Sequence, residues 1–111
     1  MKITEQRQGA VSVIRPSGPL TAAEAPQLRE RVERELSANL GRIVLDMSEI
    51  PYVDSTGLET LLDLTEQMAQ GAQALRLCGA NKTVREAMTL TDLAPHFDHF
   101  DDVTTAVRSF L

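Results

Sequence analysis

Val53-Asp54-Ser55-Thr56-Gly57-Leu58 places a carboxylate and two hydroxyls side by side at the head of an amphipathic stretch. Behind it, Leu58, Leu61, Leu62, Thr65, Met68 and Ala69 follow helical spacing. The first backbone N–H groups of a helix lack partners and carry partial positive charge, so a polar turn at this point suits an anion. A serine there is either an ordinary cap or a hydroxyl to which a phosphate is added and removed. In the capping reading, Asp54 or Ser55 accepts helix N–H bonds and Gly57 permits close packing. Upstream, Arg42-Ile43-Val44-Leu45-Asp46-Met47 reads as a buried strand. Asp46 then ends a strand and residues 54–56 open the next helix, on the same side of the sheet, where α/β folds carry their sites.

Other chemistry finds less support in the residues. Ser55 lacks the Gly-x-Ser-x-Gly elbow, and the two histidines, His96 and His99, come near the C-terminus. A hydrolase triad therefore has no base or orienting acid to name. His96-Phe97-Asp98-His99, with Asp101 and Asp102, has metal-site residue types. Strand geometry sends the two histidines to opposite faces, however, and no third His or Cys joins them. Asp101 and Asp102 read as helix-terminal charge. Cys78 is the one cysteine, so no internal disulfide can form. In Ala74-Leu75-Arg76-Leu77-Cys78 it reads as a small buried residue with nothing to stabilise a thiolate. Neither a Gly-x-Gly-x-x-Gly fingerprint nor a P-loop is present. No catalytic role, metal or cofactor is expected, which leaves residues 54–57 as a cap or as a substrate for another enzyme.

The 111 residues suit one domain spanning 1–111, and 42% hydrophobic content suits a folded one. A net charge of −5 without a basic run argues against nucleic acid and for a basic patch on a protein partner. The start is not a signal peptide, and no apolar run nears the roughly 20 residues that span a bilayer. A cytoplasmic monomer without membrane insertion is expected.

Positioning the motif requires the following elements. Short strands at 2–7 and 10–15 flank a turn at Gln8-Gly9. A first helix carries Leu28, Val32 and Leu36 on one stripe, with Glu30 and Arg34 paired outside. Thr21-Ala22-Ala23-Glu24 has capping-box spacing, yet Pro26 favours a start nearer residues 23–25, with Thr21 in the lead-in. Strand 42–47, helix 55–70 stopped at Gly71, and strand 74–78 follow. Asn81 caps a third helix with stripe Val84, Ala87, Met88 and Thr91. A weak strand at 96–100 precedes a last helix capped by Asp101 or Asp102, with Val103, Ala106, Val107 and Phe110 inward. The alternation predicts an α/β fold: an opening antiparallel hairpin, then mainly parallel βα units, in a small mixed sheet covered by about four helices.

Ile43-Val44-Leu45-Asp46, Val53-Asp54-Ser55-Thr56-Gly57-Leu58, Gly71, the strand at 74–78, and Asn81 with Val84 together resemble the STAS domain, whose best-known members are bacterial anti-sigma factor antagonists. The resemblance implies a partner switch without catalysis. The unmodified domain binds an anti-sigma factor that is also a serine kinase, and phosphorylation of the Ser after the Asp, here Ser55, releases it. A PP2C-type phosphatase reverses the modification. Thr56 matches the second hydroxyl of the motif. The partner surface implied comprises Thr21, Asp46, Asp54, Thr56, Gly57, Leu58 and Glu59. Three positions depart from the family pattern: Thr21 stands at a usual Asp, and Glu59 and Asp92 stand at frequent Gly positions. Two alternatives share the motif. One is a STAS subunit of an ABC-type lipid transporter that binds its ATPase. The other is a small-molecule-sensing STAS module.

Overall fold

The computed structural model describes residues 1–39 and 41–111. Strands β1 (Lys2–Gln8) and β2 (Val11–Ser17) form the opening antiparallel hairpin, turned at Gly9 with φ 63°. Helix α1 (Ala25–Asn39), strand β3 (Ile43–Asp46), helix α2 (Ser55–Ala69), strand β4 (Leu75–Cys78) and helix α3 (Lys82–Leu90) follow. A 3₁₀ turn at Ala94–His96, strand β5 (Phe97–Phe100) and helix α4 (Val103–Arg108) close the chain. The sheet order is β1-β2-β3-β4-β5, antiparallel only between β1 and β2. This is the mixed sheet with four helices that the alternation predicts. Among the described residues no helix is long and apolar enough to cross a membrane.

Apolar periodicity assigns the two layers. Leu28 and Val32 of α1, Leu58, Leu61, Leu64 and Met68 of α2, and Val84 and Met88 of α3 pack on one sheet face against Ile14, Ile43, Leu45, Leu75 and Leu77. Ala106 of α4 covers the other face with Val11, Val13, Val44 and Cys78, flanked by Val103, Val107 and Phe110. β3 lies in the middle and is buried on both faces, which explains its unbroken apolar run. Thr65 sits in the α2 stripe because its buried hydroxyl works twice. It donates to the His96 carbonyl at 2.7 Å and accepts from the Leu75 N–H at 3.0 Å, tying α2 to the strands below.

Helix α1 begins at Ala25, the later of the two starts. Glu24 and Ala25 both donate N–H bonds to the Thr21 carbonyl, and Pro26 falls in the first turn where its missing N–H costs nothing. The stop after α2 differs from the expectation at Gly71. Ala72 is the left-handed residue (φ 60°), with Gln73 N–H bonded to Met68 O and Ala72 N–H to Ala69 O. Asp92 repeats the arrangement after α3 at φ 60°, with Leu93 N–H on Met88 O and Asp92 N–H on Thr89 O. Thr91, placed by periodicity on the buried stripe of α3, is exposed and donates its hydroxyl to the Ala87 carbonyl.

Both helix ends use the six-to-one C-terminal motif that glycine favours, with a side chain in its place. An L-residue in the left-handed region costs about 1–2 kcal/mol, and aspartate tolerates it better than alanine does. Unfolded glycine gives back roughly half of that gain. Ala72→Gly should therefore raise stability by about 0.5–1 kcal/mol and Asp92→Gly by less, read as the shift in urea midpoint at constant slope. A lower midpoint for Ala72→Gly would contradict the assignment.

Candidate functional site

Asp54 builds the site. It is the N-cap of α2, in an extended backbone conformation. Its Oδ1 accepts from the Gly57 N–H at 2.8 Å, and its Oδ2 accepts from the Ala22 N–H at 3.0 Å. The same two segments are laced by main chain. Leu20 N–H donates to Tyr52 O and Asp54 N–H donates to Leu20 O, each at 3.1 Å, making a parallel bridge of Leu20 with Val53. Gly18 N–H on Glu49 O extends the lacing one step outward. Of the two caps considered from sequence, Asp54 is the one used.

Gly57 is what allows the two segments to come together. A Cβ built there would lie 2.3 Å from the Leu20 carbonyl oxygen and 3.0 Å from Leu20 Cγ. Gly57 and Leu58 are buried, and Leu58 belongs to the core, so both seat the helix start rather than face outward.

Ser55 is the first residue of α2 and is exposed. Its hydroxyl has no hydrogen-bond partner among the described residues. Thr56 is half-buried beside it, and its carbonyl accepts the Thr60 hydroxyl at 3.0 Å. Glu59, one turn along from Ser55, is exposed. Thr21 stands between Leu20 and Ala22, the two residues that bond to the Asp54 segment. A groove of about 370 Å³ between α1 and α2 runs from Ala22 and Ala25 to Thr56 and Thr60.

Asp46 does not join this group. Strand alternation turns Leu45 toward α2 and Asp46 toward α4, beside Val13 and Val103. Its Oδ1 accepts from the Ser48 N–H at 3.0 Å, and its residue is 6% exposed. Cys78 neighbours it across the ladder. Burial, with the Asp46 and Asp102 carboxylates adding to it, pushes that thiol up to about 12, so it stays protonated at neutral pH. His99 bonds the Ala94 carbonyl at 2.8 Å and His96 is exposed. No group of three His, Cys, Asp or Glu that could hold a metal occurs among the described residues. Asp102, not Asp101, caps α4 by accepting from Thr105 N–H at 2.8 Å, and that bond holds its carboxyl below the usual carboxylate range.

The sequence did not reveal the second role of Asn81, nor Tyr52. Asn81 caps α3 through Oδ1 on Val84 N–H at 2.8 Å, as its position suggests. Its Nδ2 also donates to the carbonyls of Ile50 at 3.3 Å and Pro51 at 3.1 Å, pinning the loop that leads to Ser55. No local pattern could announce partners 30 residues away. Tyr52 is half exposed on that pinned loop, and the signal was an aromatic residue inside a polar turn.

The architecture and the helix start at the head of α2 define an α/β module of one known kind. The STAS domain family model matches residues 2–106, and the chain belongs to that family. BtrV of Bordetella bronchiseptica, named as a candidate anti-sigma factor antagonist, is 26% identical over 110 residues, covering 99% of this chain and 95% of the relative. The Thermotoga maritima protein TM1081, also named as a candidate anti-sigma factor antagonist, superposes with a TM-score of 0.87 at 19% identity, over 96% of this chain and 92% of that one. The anti-sigma factor antagonist SpoIIAA in its unphosphorylated form gives 0.79 at 18% identity, over 98% and 96%. The phosphorylated form of SpoIIAA, from Bacillus, gives 0.72 at 18%, over 99% and 100%.

Proposed function

We propose that residues 1–111 act as one STAS domain, a cytoplasmic anti-sigma factor antagonist whose switch is Ser55. While Ser55 is unmodified, the face around it binds an anti-sigma factor that is also a serine kinase, which frees the sigma factor. The kinase transfers the γ-phosphoryl group of ATP to Ser55 Oγ, the hydroxyl proton is lost, and ADP leaves. The modified domain is released until a PP2C-type phosphatase hydrolyses the ester. The chain supplies no catalytic group of its own; it is the substrate at both steps.

The observation that carries this reading is the presentation of Ser55. The residue is exposed and its hydroxyl is without a partner among the described residues, on a helix start fixed by Asp54 and Gly57. A kinase needs such a hydroxyl, and a pure cap would turn it inward onto an N–H. The capping duty has gone to Asp54. The names of BtrV and SpoIIAA, and the existence of the latter in two phosphorylation states, support the same role. A phosphate on Ser55 adds about −1.5 to −2 charges. The unpaired N–H groups of the first turn and the helix dipole accommodate it, so the domain stays folded.

Incubation with the cognate kinase and ATP, followed by mass spectrometry, tests the assignment. Wild type should gain one phosphate and Ser55→Ala none. Modification persisting in Ser55→Ala would move the site to Thr56 or elsewhere, and an unmodified wild type would remove the switch altogether.

A further inference from the structure

We propose that Tyr52 is the side chain that anchors the partner on this face, and that the surface it enters is basic and holds a slot for a phenol ring. The proposal rests on Ser55 as the switch and names the chemistry of the partner that meets it. Three large apolar side chains stand well out from the described residues: Tyr52 at 50% exposure, Leu90 and Leu111. Leu90 ends α3 and Leu111 ends the chain, whereas Tyr52 lies three residues before Ser55. The chain has one Tyr and no Trp; Phe97 is buried, and Phe100 and Phe110 are half-buried. Tyr52 is thus the one exposed Phe, Tyr or Trp ring among the described residues.

Its backbone is held from both sides. The Tyr52 carbonyl accepts from Leu20 N–H, and the carbonyls of Ile50 and Pro51 accept from Asn81 Nδ2. A ring with few rotatable bonds on a fixed loop gives up little entropy when a partner closes over it. Tyrosine is also among the residues on which binding energy concentrates at interfaces.

Charge decides what kind of surface fits. Residues 43–66 carry six carboxylates, Asp46, Glu49, Asp54, Glu59, Asp63 and Glu66, and no Lys or Arg. Asp63 is answered by Arg29 at 2.8 Å, and Asp46 and Asp54 are held by backbone N–H groups. Glu49 and Glu59 are exposed and form no ion pair with any described residue. Lys82, next to Asn81, is already paired with Glu86 at 3.8 Å, so a second copy of this chain, with its net charge of −5, would bring the same acidic excess and be repelled. A basic partner is attracted, and an Arg or Lys laid against the ring face gains a cation–π contact as well. The ring also fixes the register in which that partner meets Ser55, so a phosphate there cannot be avoided by sliding.

The test is a titration of the cognate anti-sigma factor with wild type, Tyr52→Phe and Tyr52→Ala at low and physiological salt, with phosphorylation of Ser55 followed in parallel. Tyr52→Ala should keep the melting temperature and lose roughly 30-fold or more in affinity. Tyr52→Phe should lose no more than about threefold, and wild-type affinity should fall as salt rises. Tyr52→Ala within about twofold of wild type overturns the anchor, even where Ser55 is phosphorylated normally. A Tyr52→Ala loss with no phosphate ever reaching Ser55 keeps the anchor and removes the switch instead. Sedimentation showing a wild-type dimer that Tyr52→Ala dissolves would assign the ring to self-association and overturn the proposal.

Discussion

Gly57→Ala should lower the melting temperature by about 10 °C or more, although it places a better helix former inside a helix. Propensity alone favours the substitution by about 1 kcal/mol. Against that stands a Cβ 2.3 Å from the Leu20 carbonyl oxygen, a main-chain atom that cannot rotate away. Relief requires Leu20 to retreat, and Leu20 N–H on Tyr52 O and Asp54 N–H on Leu20 O go with it. Leu20 is itself fully buried, so its retreat also loosens the core. Overpacking of this kind costs about 1–3 kcal/mol, and the loss of each hydrogen bond about 1 kcal/mol more. The net is roughly 2–4 kcal/mol out of a total of about 5–15 kcal/mol, which corresponds to the stated shift in a domain of this size. Gly71→Ala is the internal control. A Cβ there meets only Met68 O at an ordinary 3.6 Å, so thermal melting should be unchanged or slightly raised. Equal melting temperatures for Gly57→Ala and wild type would show that the two segments are not held as described.

Phosphorylation of Ser55 should weaken partner binding more than 100-fold while the domain remains folded. The two halves have separate causes. Within the domain, the added charge lies at the start of a 15-residue helix, where the dipole and free N–H groups favour it. Across the interface, a surface fitted to a hydroxyl must accept a doubly charged group several times its volume. The acidic rim attracts a basic partner from a distance, so long-range repulsion is not what separates them. Steric exclusion and the cost of stripping water from an unmatched phosphate act at contact, and a loss of about 3 kcal/mol corresponds to more than 100-fold. Ser55→Asp carries less charge and bulk and should fall between wild type and the phosphorylated protein. Circular dichroism of the phosphorylated form should overlay that of wild type; a collapsed helical signal would replace partner exclusion with unfolding as the cause.

How far the chain could be read in advance follows from the range of its interactions. The βα unit around the site was legible because β3 is an apolar run and α2 keeps helical spacing through Leu58, Leu61, Thr65 and Met68. The site itself was legible at the scale of one turn: Asp54 capping its own helix through Gly57 N–H is a three-residue contact. Its second oxygen, which holds Ala22, spans 32 residues and leaves no local trace. The two hydrogen bonds that Asn81 Nδ2 donates to the Ile50 and Pro51 carbonyls are hidden for the same reason. Asp46 illustrates a different limit. A central strand buried on both faces has no alternation, so nothing in Ile43-Val44-Leu45-Asp46 told that this carboxylate turns toward α4, away from Ser55. Glycine preference puts the stop of α2 at Gly71, whereas the main chain turns left-handed one residue later, at Ala72.

The central claim is that one hydroxyl decides whether a partner binds this face. Isothermal titration of the cognate anti-sigma factor into unmodified protein, and into protein carrying one phosphate on Ser55, measures it directly. Unmodified protein should bind with a Kd at least 100-fold lower than the phosphorylated form under the same salt. Dissociation constants within a few fold of each other would contradict the account.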